Sequence, residues 1–273
     1  MKLKNIFVLA ALTAALVGCD DIKENERFLP VELPDAPETP ELPGVSQPKN
    51  VLIEDFTGML CINCPNAAEK VVEIQNYYGA DRVIAVAIHG DMPGLSGNLK
   101  NDLGTEYYNR WGVESLPIGM VDRKGGLQNY TSWMAIANEQ LALQTSSLSL
   151  SLEGTTFDPV DRTLKVNVEA LCATALTANL QVWITESNIV SFQKMPDGSI
   201  NRNYVHNHVL RDAVNGSWGE PITLESNAAA EVSYDYTVPE AWVAENLAVV
   251  AFAYNDGGVI QVIEKPLSAE HGE

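Results

Sequence analysis

The stretch "VLIEDFTGMLCINCPNAAEK", residues 51–70, places two cysteines between an apolar run and a segment with helical spacing. Its β-branched, apolar beginning is typical of a buried strand. Pro65 suits the first turn of a helix, because the missing N–H has no partner there. We predict a helix that ends at Gly79 and whose buried face is formed by Ala68, Val71, Val72, Gln75 and Tyr78.

A second buried strand is predicted for "RVIAVAIHG", residues 82–90. The order strand, Cys-x-x-Cys, helix, strand is half of a βαβ unit with the dithiol at a helix N-terminus, and this context favours redox chemistry. The helix dipole stabilises a thiolate there. We therefore expect Cys61 to be the exposed attacking sulfur and Cys64 to resolve a mixed disulfide by intramolecular attack.

Metal binding is the competing interpretation of the two thiols. One Cys-x-x-Cys pair supplies only half of a zinc ligand set. His206 and His208 place two imidazoles on one strand face, but no clear third ligand lies near them in the sequence. We predict neither a metal nor a cofactor.

The stretch around the cysteines resembles the thioredoxin-like proteins, because Asp55 and Phe56 lie six and five residues before Cys61. The resemblance implies that Asp55 lies beneath the dithiol and moves the proton of the inner cysteine. A capping or surface aspartate is the alternative. Glu54 is then expected to face solvent.

The second part of this resemblance is Leu116-Pro117, which precedes the apolar run "IGMV" and a turn at residues 122–126. It implies a cis peptide bond opposite the dithiol, before an edge hairpin, with the Leu116 backbone free to pair with an extended substrate. A trans-proline at the start of a strand is the alternative. Residues 131–144 predict the last helix, and His89 is either near the dithiol or a hydrogen-bonded strand end.

Three positions depart from the thioredoxin pattern. Leu60 stands where an aromatic residue is usual, Ile62-Asn63 replaces Gly-Pro, and Ile118 replaces threonine. These differences leave the redox potential and the substrate open.

The N-terminus indicates the compartment. Residues 1–19 combine Lys2 and Lys4 with an apolar run too short to span a bilayer, which predicts a secretory signal peptide. Its end, "LVGC", resembles a bacterial lipobox and implies a lipid on Cys19; an ordinary signal peptide with a stray cysteine is the alternative. Residues 20–49 are acidic and proline-rich, which predicts an extended stalk on the order of 90 Å long.

The charge excludes one class of partner. Seventeen basic and thirty-six acidic residues give a net charge of −19, and removing the two lysines of the signal peptide makes it −21. Such a chain repels phosphate backbones and anionic headgroups, so we expect no nucleic-acid binding and attachment to the membrane only through the lipid.

Beyond residue 145 the apolar period changes from 3.6 to 2. Seven short alternating or apolar runs separated by turn residues predict a β-sandwich over residues 146–273. Cys172 has the parity of a core position, with an interdomain disulfide as the alternative. Residues 197–220 form a polar excursion that we interpret as a contact surface. The predicted fold is an α/β thioredoxin-like domain at 50–145 followed by an all-β sandwich domain.

The lipobox, the acidic stalk, the dithiol stretch and the C-terminal β-region together resemble the 28-kDa outer-membrane-protein family of bacterial lipoproteins. The resemblance implies an outer-membrane location, periplasmic or surface-exposed. Two functions remain open. One is a lipid-anchored thiol–disulfide oxidoreductase acting on a thiol- or disulfide-bearing protein. The other is a surface lipoprotein that binds an unknown ligand, in which the Cys61–Cys64 disulfide is only structural.

Overall fold

The computed structural model describes residues 47–267. The predicted signal peptide, the lipid site at Cys19 and nearly all of the stalk lie outside these residues. The described part is mostly β-sheet, with three helices: α1 (Cys64–Tyr78), α2 (Asp102–Trp111) and α3 (Trp133–Leu141). Its strands are β1 (Gln47–Pro48), β2 (Val51–Thr57), β3 (Val83–His89), β4 (Ile118–Val121), β5 (Thr145–Ser146), β6 (Leu148–Ser151), β7 (Thr156–Asp158), β8 (Thr163–Cys172), β9 (Leu176–Glu186), β10 (Ile189–Lys194), β11 (Ile200–His206), β12 (Val209–Ala213), β13 (Glu220–Leu224), β14 (Ala230–Thr237), β15 (Leu247–Asn255) and β16 (Gly258–Pro266).

The predicted order of strand, dithiol, helix and strand is confirmed. β2 pairs in parallel with β3 and antiparallel with β4, and α1 connects β2 to β3. All seven residues of β2 are buried, as expected for a strand covered on both faces. The predicted buried face of α1 is partly wrong, since Ala67, Val71 and Ile74 are buried whereas Val72 is 52% exposed. The stripe defined by these three residues excludes Val72, which lies about 100° further round the helix.

One large sheet contains strands from both predicted domains. Its order is β16-β15-β9-β12-β3-β2-β4, and β13 pairs with β9 outside this path. The two halves of the sheet meet where Val209 of β12 pairs in parallel with Ala87 of β3. The domain boundary at residue 145 stays a prediction.

A second sheet packs on the C-terminal half of the first. It has the order β14-β8-β6, with β7 also paired to β8. Alternate residues of β8 point into an apolar cluster shared with β9 and β15, which is the period-2 pattern read from the sequence. Cys172 is buried in that cluster as a free thiol, so its predicted core position is confirmed.

The other face of the large sheet buries a second cluster, which is rich in aromatic residues. It brings Phe56 of β2 together with Tyr107 of α2, Trp183 of β9 and Phe252 of β15. The Trp183 indole N–H donates to the Tyr107 hydroxyl at 2.9 Å. Residues on both sides of position 145 therefore share one core.

The expectation that Glu54 faces solvent is wrong. Glu54 is fully buried, and both of its carboxylate oxygens accept hydrogen bonds from Arg123 at 2.9 to 3.2 Å. The Arg123 guanidinium lies 4.4 Å from the ring centroid of Tyr254 and 5.0 Å from that of Phe252. The cause is the aromatic cluster, which covers the face of β2 that would otherwise meet water.

The edge hairpin predicted after β4 is only partly formed. The returning segment makes a single bridge between Gly119 and Gln128 and no strand. Asp122 and Arg123 both have left-handed backbone angles, and Asp122 Oδ1 accepts a hydrogen bond from the Leu52 amide. These features turn the chain away from the edge directly after β4.

β10 and β11 form a two-stranded sheet of their own. This hairpin, residues 189–206 and called the cover hairpin below, was not predicted, although a strand was expected around His206; β11 ends at that residue, so His208 does not share its strand. It lies directly over the loop that carries the cysteines, as its contacts with that loop show.

Candidate functional site

The two cysteines lie where β2 passes into α1. Cys61 and Cys64 form a disulfide with their Cα atoms 5.5 Å apart, and α1 begins at Cys64. Asn63, at the N-cap, makes no side-chain hydrogen bond to the helix. The positive end of the helix dipole is therefore not offset by a capping oxygen, which favours a thiolate after reduction.

Asp55 is a buried residue of β2, the strand that leads into the dithiol. It is 4% exposed, and its Oδ1 atom has no hydrogen-bond partner within residues 47–267. Burial raises the pKa of the Asp55 carboxyl to about 8. The carboxyl is therefore protonated at neutral pH and can give its proton to a neighbouring sulfur.

A cavity of about 260 Å³ joins Asp55 to the inner cysteine. Cys64, Asp55 and His89 line it together with residues 204–208. The aliphatic side chains of α1 form much of the remaining wall. The structure thus places Asp55 and Cys64 on the wall of one cavity. The alternative of a surface aspartate is wrong, because Asp55 is buried.

Two histidines that the sequence treated separately meet at this cavity. The rings of His89 and His206 pack edge to face with their centroids 5.9 Å apart. His89 is buried and its Nδ1 atom lacks a hydrogen-bond partner in the described chain. Burial, and then the neighbouring His206 and Arg211, lower the pKa of His89 to about 3. The imidazole is therefore neutral at physiological pH.

His208 lines the same cavity, and burial lowers its pKa as well. Within residues 47–267 no three His, Cys, Asp or Glu side chains are arranged to hold a metal ion. The lowered pKa values of His89, His206 and His208 make this cluster a group of neutral imidazoles at pH 7.

Cys61 was predicted to be exposed, and this prediction is wrong for the oxidised protein. Cys61 and Cys64 are each 2% exposed. The cover hairpin lies against the cysteine loop, where the Gln193 side-chain amide donates to the carbonyl oxygen of Cys61 at 3.0 Å. The sequence signal for this hairpin was the Asp197-Gly198 turn.

The Leu116–Pro117 peptide bond is cis, as predicted. Leu116 lies beside the cysteine loop, since its Cδ1 atom is 3.1 Å from the point where a Cβ atom on Gly58 would stand. A role for Leu116 and Pro117 in seating a substrate remains a prediction.

Comparisons with known proteins add a family and a set of folds. The family model described as outer membrane protein Omp28 matches residues 104–270. A search of curated proteins returned no match. Among the described residues, no helix is both long and apolar enough to cross a bilayer.

Several solved structures resemble the chain. HBP35 of Porphyromonas gingivalis is 16% identical with a TM-score of 0.65, and the match covers 82% of this chain and 77% of that one. A protein of Agrobacterium tumefaciens is 16% identical with a TM-score of 0.51, covering 83% and 98% respectively. A domain of the outer membrane lipoprotein Omp28 of P. gingivalis is 25% identical over 43% of this chain and 90% of that one, with a TM-score of 0.30. The first two likenesses concern the fold alone.

Proposed function

The chain belongs to the Omp28 family of outer membrane proteins, and from this premise we propose that its Cys61–Cys64 pair performs thiol–disulfide exchange with cysteine-bearing proteins of the cell envelope. The observation that carries the proposal is the shared cavity of Asp55 and Cys64 at the start of α1. A buried acid that is protonated at neutral pH, next to the sulfur that leaves or attacks, is the arrangement that exchange requires.

The step from the oxidised protein begins with a partner thiolate. It attacks Cys61 Sγ, forms a mixed disulfide and releases Cys64 as a thiolate, which takes the proton of Asp55. A second thiol of the partner then attacks the mixed disulfide and releases Cys61, which takes the proton that this thiol gives up, and Asp55 regains its proton from solvent. The partner dithiol is oxidised to a disulfide by two electrons, and the Cys61–Cys64 disulfide is reduced to two thiols.

The same groups act in the reverse direction. Reduced Cys61 attacks a partner disulfide, and Cys64 then resolves the mixed disulfide, giving its proton to Asp55 in the molecules whose Asp55 carboxyl is ionised. In either direction Leu116 and Pro117 align the partner chain beside the cysteine loop. A thioredoxin-like interpretation of residues 50–145 is supported by the β2-α1-β3 order and the cis bond before β4.

The proposal places this chemistry at the cell envelope. A lipid on Cys19 and the acidic stalk would hold the folded part away from the outer membrane. The family assignment supports a location at the outer membrane, and the lipobox supports a lipid anchor on Cys19.

A binding protein with a structural disulfide is the second candidate. The observation that favours it is the 2% exposure of both cysteines, because an exchange site must be reached by a partner sulfur. The ligand would then bind to a surface other than the dithiol, and reduction of the disulfide would change stability without supporting turnover.

Alkylation across a pH series separates the two functions. The test uses Cys64→Ser in a Cys172→Ala background, so that Cys61 is the only thiol of residues 47–267, with Cys19 removed by expression without the signal peptide. The midpoint of the rate against pH reports the pKa of Cys61, and the maximal rate reports its access. We expect a midpoint well below about 8.5, the ordinary thiol value. A midpoint at or above that value would support the structural disulfide.

A further inference from the structure

We infer that the cover hairpin is a removable cover, which occupies the backbone surface where a disulfide partner must dock and which leaves it when a partner binds. The inference rests on the proposed function and adds how access of a partner to the disulfide is controlled. An extended polypeptide segment is the occupant that replaces the hairpin.

The cover is fastened to the cysteine loop at its Gln193–Lys194 end. The Lys194 amide donates to the Met59 carbonyl oxygen at 2.8 Å. The Gln193 side-chain amide donates to the carbonyl oxygens of Cys61 at 3.0 Å and Gly58 at 3.3 Å. The carbonyl groups of Met59 and Cys61 thus have their donors on two consecutive hairpin residues, whereas the Gly58 carbonyl also accepts from the Cys61 amide at 3.1 Å.

A small apolar cluster completes the contact. Met59 packs with Leu99 and Val209, and the hairpin residues Ile189 and Phe192 lie against them. The Phe192 carbonyl oxygen is 3.2 Å from His206 Nε2, which ties the two hairpin strands together beside the cavity. This cluster is much smaller than the two main cores of the molecule, so it is the weaker attachment.

The hairpin is built to move as one piece. Its two strands pair with each other and with no other strand of the described residues. Both of its ends carry a left-handed residue, Asn188 with φ 58° and His208 with φ 55°. Such positions at the two ends of an element are where a hinge absorbs a change of backbone angles.

The outer side of the hairpin has no cover of its own. Val190, Ile200 and Val205 are 63%, 50% and 45% exposed. Lifting the hairpin leaves these three side chains as exposed as before, removes Ile189 and Phe192 from their small cluster, and exposes the disulfide with the carbonyl groups of Met59 and Cys61.

The exposed carbonyl groups define the partner. A buried carbonyl without a donor is costly, so whatever replaces the hairpin must bring N–H groups at the same spacing. An extended polypeptide supplies backbone N–H groups in this way. The Lys194 amide on Met59 is thus an internal version of the bond that a partner backbone would make.

The experiment compares Lys194→Pro with Lys194→Ala in the full chain. Both variants remove the lysine side chain, but only proline removes the N–H that bonds to Met59. That N–H points away from β11, so proline is compatible with the hairpin itself. We expect dithiothreitol to reduce the disulfide of Lys194→Pro at least tenfold faster than that of Lys194→Ala.

Equal reduction rates in the two folded variants would overturn the inference. Folding is checked by near-ultraviolet circular dichroism, and Gln193→Met serves as the second opening variant, since it keeps the volume but loses both donors. We expect dithiothreitol to reduce the disulfide of Gln193→Met faster than that of Lys194→Ala as well. If both opening variants fail to fold, the hairpin is a structural element rather than a cover, and the inference is wrong.

A second arm separates this inference from the proposed function. A cysteine-containing peptide disulfide is reacted with the reduced proteins, with the same peptide N-methylated next to its cysteine as the control. We expect the unmethylated peptide to react several-fold faster. Fast reduction of the opened variants without any reaction with peptide would retain the cover and refute exchange. Exchange at the same rate in wild type and opened variants would retain exchange and refute the cover.

Discussion

Asp55 and His89 are two buried groups of one cavity whose pKa values shift so that both are neutral at pH 7. Burial raises the pKa of Asp55 to about 8 and lowers that of His89 to about 3. Each neutral group avoids the cost of a buried charge. Their effects on stability have opposite signs with pH, and they overlap between about pH 4 and pH 6.5.

The contribution of Asp55 to stability is present at low pH and is lost as pH rises. Above about pH 4 the unfolded chain releases this proton while the folded chain keeps it. The free energy of unfolding therefore falls as pH rises. Replacing Asp55 by Asn removes the effect. We expect Asp55→Asn to be more stable than wild type at pH 8, by up to about 5 kcal/mol, with little difference at pH 4.

Urea unfolding of both proteins at several pH values measures this difference. Other titrating groups, including His89 and Glu264, are common to both proteins and cancel in the comparison. A constant difference between pH 4 and pH 8 would mean that the carboxyl of Asp55 is ionised in the folded protein.

The buried pair of Glu54 and Arg123 is a second residue-scale feature with a measurable effect. Arg123→Met would leave the Glu54 carboxylate buried without a partner, which costs about 3–5 kcal/mol. Replacing both residues by Met should recover most of this loss, because the surrounding aromatic rings accept an apolar side chain. Chemical unfolding of Arg123→Met, Glu54→Met and the double variant gives the coupling free energy between the two side chains. Equal losses of stability in Arg123→Met and in the double variant would refute the expected recovery.

At the scale of elements, α2 is held to β3 by a close backbone approach. A Cβ atom on Gly104 would overlap the His89 carbonyl oxygen. Glycine to alanine normally stabilises a helix interior by about 1 kcal/mol. Here we expect Gly104→Ala to destabilise by about 1–3 kcal/mol instead, since the helix must shift away from the strand.

Asn109→Ala is the matched control for Gly104→Ala. Asn109 is exposed on the same helix, so the substitution should change stability by less than about 0.7 kcal/mol. Thermal unfolding of the two variants compares them directly. A stabilising Gly104→Ala would show that α2 does not approach β3 this closely.

The elements that sequence reasoning found are those with strong periodicity. All seven C-terminal segments predicted as strands contain one, and so do the two strands that flank the dithiol and "IGMV" before the Asp122 turn. The missed elements include β7 and β10 to β12, of which β11 and β12 lie in the segment interpreted as a polar excursion. β12 has only two fully buried residues, Val209 and Leu210, because its position between β3 and β9 is decided by tertiary pairing and not by its own pattern.

The residues of the candidate site also divide into those that could be predicted from the sequence and those that could not. The dithiol at a helix start could be predicted from its own segment, whereas the role of Asp55 and the cis bond before Pro117 came from the resemblance to thioredoxin-like proteins. The meeting of His89 with His206, and the burial of Cys61, depend on a hairpin more than 100 residues away. No local pattern around Cys61 could show that another segment covers it.

At the scale of the whole molecule, the face of β2 that carries Phe56 has its core partners in the C-terminal half. Trp183, Val250 and Phe252 lie in the same cluster. The large sheet also continues from β3 into β12 and β9. The two predicted domains therefore cannot separate without exposing an aromatic core and a strand edge.

A fragment of residues 47–145 tests this dependence. Without the C-terminal half, the apolar face of β2, β3 and β4 loses its cover, so we expect the fragment to lack cooperative unfolding and to bind a hydrophobic dye. Residues 47–267 serve as the control and should unfold in a single transition by circular dichroism and by tryptophan fluorescence. Cooperative unfolding of 47–145 with native near-ultraviolet circular dichroism would show that the dithiol region is an independent domain, and that the aromatic cluster is an interface between two folded units.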